Sequence, residues 1–372
     1  MTADIRIVRL HDIQLDGDAG LLRDYSRPEN DRPEKYLQAY DRHTLIYDAF
    51  RSEDGRQVIM NAPPMLNLWP PFRDGLRCDG APVARVKQHV WKRTDQIRAT
   101  VPDGVLTVTL AGQTYPISPR PTEAARFAGL NCLLALNKNN AVDWVRDWVR
   151  YNVNRHGAEA VVLVDNGSTA YPLAELAAAL GDVAGLKQGL IYSAPFPYGP
   201  QMSASRRGER NPRFFQSTML NLARSDALAR AGAVLSVDID EIVHGPEGQT
   251  IFEAARANPF GMVTVLGYWG YPASVDAIPA RQRDHLFRTD PNPKCNRKWC
   301  IVPGGLIDRV GVWDPHQVGG ILQNLFTTSK TFRHMHCRGT TTGWKTRKAF
   351  PADLHRDPDL DRLWDTYLPE PG

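Results

Sequence analysis

Leu235-Ser-Val-Asp-Ile-Asp-Glu241 is a short apolar run that ends by delivering two carboxylates, Asp238 and Asp240. On a strand successive side chains alternate, so Val237 and Ile239 face a core while Asp238 and Asp240 share the opposite face. Adjacent carboxylates repel each other and are costly to bury unless a cation neutralises them. A hard divalent ion such as Mg²⁺ or Mn²⁺ prefers oxygen ligands and commonly arrives with phosphate oxygens. The stretch therefore predicts a strand end that holds a metal and, through it, a diphosphate. On these residues alone a surface strand with solvated acids fits equally well. Glu241 either assists the metal or caps the next turn.

The surroundings of this stretch set its fold class. From about residue 129 the pattern alternates between strand and helix. Apolar runs at 130–136, 160–164, 189–192, 234–240 and 262–266 predict strands, and 141–153, 172–180, 214–231 and 251–257 predict helices. Trp144, Val145, Trp148, Val149 and Val153 form one helical stripe, which Gly157 closes. Strands spaced by helices predict an α/β fold of Rossmann-like type, a mostly parallel sheet flanked by helices. Ligands of such sheets bind beyond the carboxyl ends of the strands. Asn137, Asp165 and Asp238 each stand at the end of an apolar run. Residues 1–128 read differently, as a β-rich accessory region with strands at 44–50, 57–60 and 104–110. The proline-rich run 61–71 breaks any central strand, and 118–123 reads as a linker. The expected division is 1–128, 129–348 and a C-terminal tail, 349–372.

The bulk composition narrows the function classes. A chain of 372 residues with 42% hydrophobic and 23% charged content is an ordinary globular protein with room for two domains. A net charge of +4 suits an anionic ligand and is too small to argue nucleic-acid binding. Arg206, Arg207, Arg210 and Arg213 read as phosphate or surface contacts. Five cysteines, an odd number without a spacing framework, favour a reducing compartment. Cys295 and Cys300, with His334, His336 and Cys337, make a poor zinc pattern because the Cys-x4-Cys gap is wrong. No run approaches the length of a membrane span, and the N-terminus lacks a signal-peptide core. The expectation is a cytoplasmic protein, free or peripheral at the inner face of the membrane.

Other polar groups complete the candidate list. Asn137-Lys138-Asn139-Asn140 opens a helix and can receive an anion, or is a plain polar loop. Asp165 can accept hydrogen bonds from a nucleobase or ribose, or can simply form a turn with Asn166 and Gly167. His334 either completes a metal shell with the Asp pair or is a satisfied core histidine. Arg338, Lys345 and Lys348 suit a diphosphate. Trp313 and Trp344 either stack on a sugar or fill the core.

Taken in order, Asn137-Lys-Asn, the Trp144/Trp148 helix with Gly157, Asp165-Asn-Gly-Ser-Thr, Val237-Asp-Ile-Asp-Glu, Lys298…Pro303…His316 and His334…Arg338…Lys345 resemble glycosyltransferases of the GT-A fold. The resemblance is to the family-92-like and family-2-like groups and covers about residues 130–348. It implies a nucleotide-sugar donor held by Asn137, Lys138, Asp165, Asp238, Lys298, Arg338 and Lys345. It also implies Mn²⁺ or Mg²⁺ at Asp238 and Asp240 with His334 as a third contact, and a glycan or glycolipid acceptor in surface-polysaccharide synthesis. Two positions depart from the family pattern: Asn140 stands where an acid is common, and Ala170 where Asp is common. If the reaction inverts, Asp314 and His316 are the candidate bases. Two rivals stand beside this reading. One is a non-catalytic carbohydrate-binding or scaffold protein on a degenerate transferase fold. The other is a haloacid-dehalogenase-like phosphatase, which expects Gly-Thr where this chain has Glu241-Ile242.

Overall fold

The computed structural model describes residues 2–200, 212–274, 277, 279–340 and 350–370. Arg206, Arg207 and Arg210, and Trp344, Lys345 and Lys348, lie outside the described residues. The chain divides into two compact units, residues 1–8, 126–192 and 228–372 in one, and 9–125 and 193–227 in the other.

The first unit is built on a nine-stranded sheet. Its strands are β1 (Asp4–Arg9), β2 (Asn131–Asn137), β3 (Ala160–Asp165), β4 (Gln188–Ser193), β5 (Ala233–Ser236), β6 (Glu241–His244), β7 (Met262–Gly270), β8 (Lys294–Ile301) and β9 (Thr328–Cys337), in the spatial order β1-β4-β3-β2-β5-β8-β7-β9-β6. The pairs β3–β2 and β2–β5 are parallel. Beyond β5 the sheet turns mixed, since β8 runs antiparallel to both β5 and β7, β9 pairs parallel with β7, and β6 pairs antiparallel with β9. The helices of this unit are α1 (Val142–His156), α2 (Leu173–Gly181), α3 (Ile251–Ala257), α4 (Leu306–Val310), α5 (Ile321–Phe326) and α6 (Pro358–Tyr367). The result is a mixed α/β architecture with a large central sheet flanked by helices.

Helix α1 shows how sequence becomes position. Its stripe of Trp144, Val145, Trp148 and Val149 is buried, and Gly157 ends it in the left-handed region at φ 67°. The same face carries polar tips. Trp148 Nε1 donates to Glu241 O, Tyr151 Oη donates to Val243 O, and a His156 ring nitrogen lies 2.9 Å from Val243 O. Strand β6 is a sheet edge with carbonyls that no neighbouring strand pairs, and α1 supplies the missing donors. The helix thereby fixes the strand on which Glu241 stands.

Four expectations change. The strand at 235–241 stops at Ser236, and Val237–Asp240 form the turn into β6. Val237 and Ile239 are still buried, but Asp238 and Asp240 are aimed by a turn rather than by strand alternation. The helix expected over 214–231 spans Phe214–Ser225 and belongs to the second unit, where Phe214 packs on Tyr40 and Phe215 on Tyr47. It ends where buried Asp226 turns to Arg120. Residues 118–123 are no free linker, because Arg120 bridges Asp48 at 2.6 Å and Asp226 at 2.5 Å. The tail beyond 349 joins the first unit through α6, whose Trp364 is buried against Tyr151. In the second unit, antiparallel strands 48–51, 57–62, 95–100 and 86–90 form one four-stranded sheet over an apolar core containing Leu45, Met60 and Ile97. Among the described residues no helix is long and apolar enough to cross a membrane.

Candidate functional site

Strands β3, β2 and β5 run parallel, so Asp165, Asn137 and the turn carrying Asp238 and Asp240 share the carboxyl edge of one sheet. Two polar clusters stand there, and they differ in kind.

The first is neutral but for one carboxylate. Asp165, 1% exposed, accepts from Asn137 Nδ2 (2.8 Å), Ser168 N (2.8 Å) and Ser168 Oγ (2.6 Å). Asn137 Nδ2 also donates to Tyr171 Oη, and Asn140 Nδ2 donates to Asn137 Oδ1. Asn139 takes the left-handed conformation at φ 54°, and its Oδ1 accepts from Thr169 N and Ala170 N. An Asn tolerates that backbone region better than most residues. Lys138 is exposed beside this cluster.

The second cluster is ionic. Lys298, on β8 and 2% exposed, places Nζ 2.6 Å from Asp238 Oδ2 and 3.0 Å from Glu241 Oε2. Asp238 N also donates to Glu241 Oε2. His336, on β9, stands between two acids, with Nε2 3.3 Å from Asp240 Oδ2 and Nδ1 3.3 Å from Glu241 Oε1. Burial opposes the charge on His336, but Asp240 and Glu241 outweigh it and push its pKa up to about 9. Burial likewise opposes charge on Lys298, and Asp238 and Glu241 raise it against that. Burial would raise Glu241, yet Lys298 and the two histidines hold it well below the usual carboxylate range. Three carboxylates against two cations leave the cluster one negative charge in excess.

His334 was the expected third metal contact. Its Nε2 lies 3.4 Å from Cys295 Sγ and 3.8 Å from Glu241 Oε1, and burial holds it neutral with a pKa of about 4. The imidazole against Asp240 belongs to His336, two residues on and on the same strand face. Gly267 makes room for the Cys295–His334 pair, since a Cβ there would fall 2.0 Å from Cys295 Sγ. Cys300 and Cys337 lie in the core, apart from that contact. His336 could have been found from the Asp-x-Asp pattern by asking which member of His-x-His reaches it, but that depends on β9 pairing with β6, Glu241 opposite His336. Trp269, also unflagged, packs its ring 4.4 Å from His336, and the Arg338 guanidinium lies 5.3 Å from the Trp269 centroid.

His316 and Asp314 sit in the loop between α4 and α5. His316 Nδ1 lies 3.2 Å from Arg297 O and Nε2 lies 3.3 Å from Asn296 Nδ2. A carbonyl only accepts, so the proton sits on Nδ1 and Nε2 keeps its lone pair. Burial first, and Lys298 second, lower the His316 pKa, which keeps this ring neutral. Asp314 O accepts from Trp299 Nε1. Trp313 is core, stacked edgewise on Trp299.

Among the described residues no three His, Cys, Asp or Glu side chains converge in an arrangement that holds a metal by itself. The donor chemistry nevertheless fits a divalent ion that arrives with a substrate. Mg²⁺ sites commonly use one or two carboxylates plus substrate phosphates, and the half-open Asp238 (41% exposed) and Asp240 offer oxygen donors on a net-negative patch, where His336 would add a nitrogen only after losing its proton.

No known protein family matches the chain, and no curated protein matches it. Among solved structures, one with partial similarity is the mannosyltransferase Ktr4p from S. cerevisiae, at 10% identity and a TM-score of 0.25 over 40% of this chain and 41% of that one. The chain thus spans about two fifths of the length of that structure, and a likeness this slight carries no argument.

Proposed function

We propose that the protein is a glycosyltransferase of GT-A type that takes a nucleotide-sugar donor and a glycan or glycolipid acceptor. The observation that carries this reading is the Val237–Asp240 turn at the carboxyl edge of the sheet, where three carboxylates meet Lys298 and His336 with one negative charge to spare. Asp238 and Asp240, with His336 once deprotonated, would hold Mn²⁺ or Mg²⁺ brought by the donor, and such an ion would supply positive charge to the departing nucleoside diphosphate. Lys298 keeps Asp238 and Glu241 in place and offers its charge to the phosphates. Arg338, stacked on Trp269, supplies a second cation. The loop 165–170, which Asp165 organises, lies where the donor base belongs in sheets of this kind. His316, neutral and with an Nε2 lone pair that only the exposed Asn296 amide engages, suits the removal of a proton from an acceptor hydroxyl better than Asp314 does. Action at the cytoplasmic side, in the assembly of a surface polysaccharide, belongs to the same proposal.

The test is calorimetric titration of UDP, GDP and CMP, with and without Mn²⁺, on the wild type and on Asp240→Ala. The expected result is tight binding of one nucleotide that requires both the metal and Asp240. If no nucleotide binds with metal, the weight shifts to a carbohydrate-binding protein on a degenerate transferase fold.

A further inference from the structure

Large apolar side chains crowd into solvent over residues 306–326. Leu306 (56% exposed), Val310 (69%), Ile321 (71%), Leu322 (37%), Leu325 (64%) and Phe326 (49%) stand on α4 and α5, while the other exposed large apolar residues among the described residues are scattered singly. Such a concentration needs an occupant. The two helices are neighbours, because a Cβ on Gly319 would fall 2.9 Å from Ile307 Cγ2, so the chain entering α5 lies against α4. Phe326 stacks on Phe260 with ring centroids 4.6 Å apart, and Asn258 Nδ2 donates to Phe326 O. Beside Leu306 a concavity of about 310 Å³ is lined by Arg256, Arg309 and the backbone of Gly304 and Gly305. Both arginines are exposed: Arg256 donates to Asn131 Oδ1 with Glu159 and Glu253 within electrostatic reach, and Arg309 donates to Gly304 O. From residue 302 to residue 331 the exposed charged side chains are Arg309 and Lys330, both positive. The acids of this stretch are Asp308, buried and accepting from Gly304 N and Trp313 Nε1, and Asp314, half-buried in the α4–α5 loop.

We propose that the α4/α5 surface docks on a membrane bearing anionic phospholipid. Exposed apolar side chains bordered by arginines with long aliphatic stems are the pattern that settles at the boundary of headgroups and acyl chains. Anionic headgroups supply negative charge opposite Arg309 and Lys330, and add to the acids Glu159 and Glu253 that Arg256 already faces. A second copy of the chain does this poorly, because a two-fold contact through the same patch brings its like charges together. The surface is joined to the candidate site, since Arg297 Nε donates to His316 O in the α4–α5 loop and Lys298 is the next residue. On the transferase reading, and resting on it, docking there sets a lipid-borne acceptor beside the ionic cluster.

The experiment is co-sedimentation of the full chain with vesicles of phosphatidylcholine alone and of phosphatidylcholine mixed with phosphatidylglycerol. The wild type is expected to bind the mixed vesicles and to lose binding as salt rises. Ile321→Asp combined with Leu325→Asp is expected to lower the bound fraction about tenfold or more, with an unchanged melting curve and unchanged nucleotide titration. Arg256→Glu with Arg309→Glu is expected to erase the preference for phosphatidylglycerol. Equal binding by wild type and the aspartate variant overturns the proposal, as does wild-type binding that ignores phosphatidylglycerol. A wild-type dimer that the aspartate variant splits, with no vesicle binding, assigns the patch to a second copy instead. Because the nucleotide titration is read separately, failure of docking and failure of the transferase reading are distinguishable.

Discussion

Asp165 ends one parallel strand and accepts three hydrogen bonds from neutral donors, whereas Asp238, Asp240 and Glu241 follow another and meet two cations. Both clusters are largely buried, the second opening to solvent at Asp238, and both occupy the same edge of one sheet. The first is closed by geometry, because each donor is fixed by the loop that Asp165 itself shapes. The second is balanced by charge, and its partners are a lysine and a histidine that a proton or a competing cation can displace. A carboxylate tied by neutral donors anchors a loop. Carboxylates tied by cations retain a capacity to exchange partners, which is what a site for a transient cation and anion requires.

Removing Glu241 should break the contrast most severely. It is 2% exposed and is shared by Lys298 and His336, so Glu241→Ala takes one of two carboxylates from each of two buried cations. The expected loss is ~3–5 kcal/mol in urea denaturation, and a loss below about 1 kcal/mol would show that the cluster is solvated rather than buried.

The ionic cluster should also respond to pH where the neutral one does not. The folded pKa of His336, about 9, lies above its ordinary 6.5, so its contribution is fully present below pH 6.5 and is lost as pH rises through about 9. The total is ~3 kcal/mol at 1.36 kcal/mol per unit. His336→Gln should flatten the stability profile on that limb, and an unchanged slope would remove His336 as its source. On the acid side the sign reverses. His334 and His244 (about 4) and His156 (about 3) are held neutral by burial, so the stability tied to them is lost as pH falls below 6.5 toward those values.

Asp165→Asn should have the smallest effect. One acceptor oxygen replaces two, and about 1–2 kcal/mol of stability is expected to go with the orphaned donors. Nucleotide affinity should fall less than tenfold if Asp165 only anchors the loop. A larger loss at unchanged stability would give it the base contact itself.

The parallel half of the sheet was largely legible in the amino-acid pattern. The apolar runs at 130–136 and 160–164 became β2 and β3 with one-residue shifts at the ends, and the tryptophan stripe became the buried face of α1. Local periodicity suffices there because each element answers to its own neighbours in sequence. The mixed half was legible only in part: the run at 262–266 became the start of β7 and 251–257 became α3, but β6, β8 and β9 left no such pattern. β1 lies in the accessory stretch by composition, yet it joins the edge of the large sheet. His336 meets Asp240 only because β9 and β6 pair, which joins residues about a hundred positions apart. Asp226 and Arg120 were hidden for the same reason, since a buried ion pair between distant segments leaves no periodic trace.

Lys298 carries a consequence for assembly. Its strand is paired on both sides, Leu235 with Cys300 and Val265 with Lys298. A slip of one residue would turn the ammonium away from the three carboxylates and set Trp299 or Arg297 in its place. An ammonium buried without its partners costs several kcal/mol, so a misaligned β8 is penalised before the sheet can close around it. The cluster that gives this edge its chemistry therefore also acts as a proofreading device for the strand that crosses the middle of the fold.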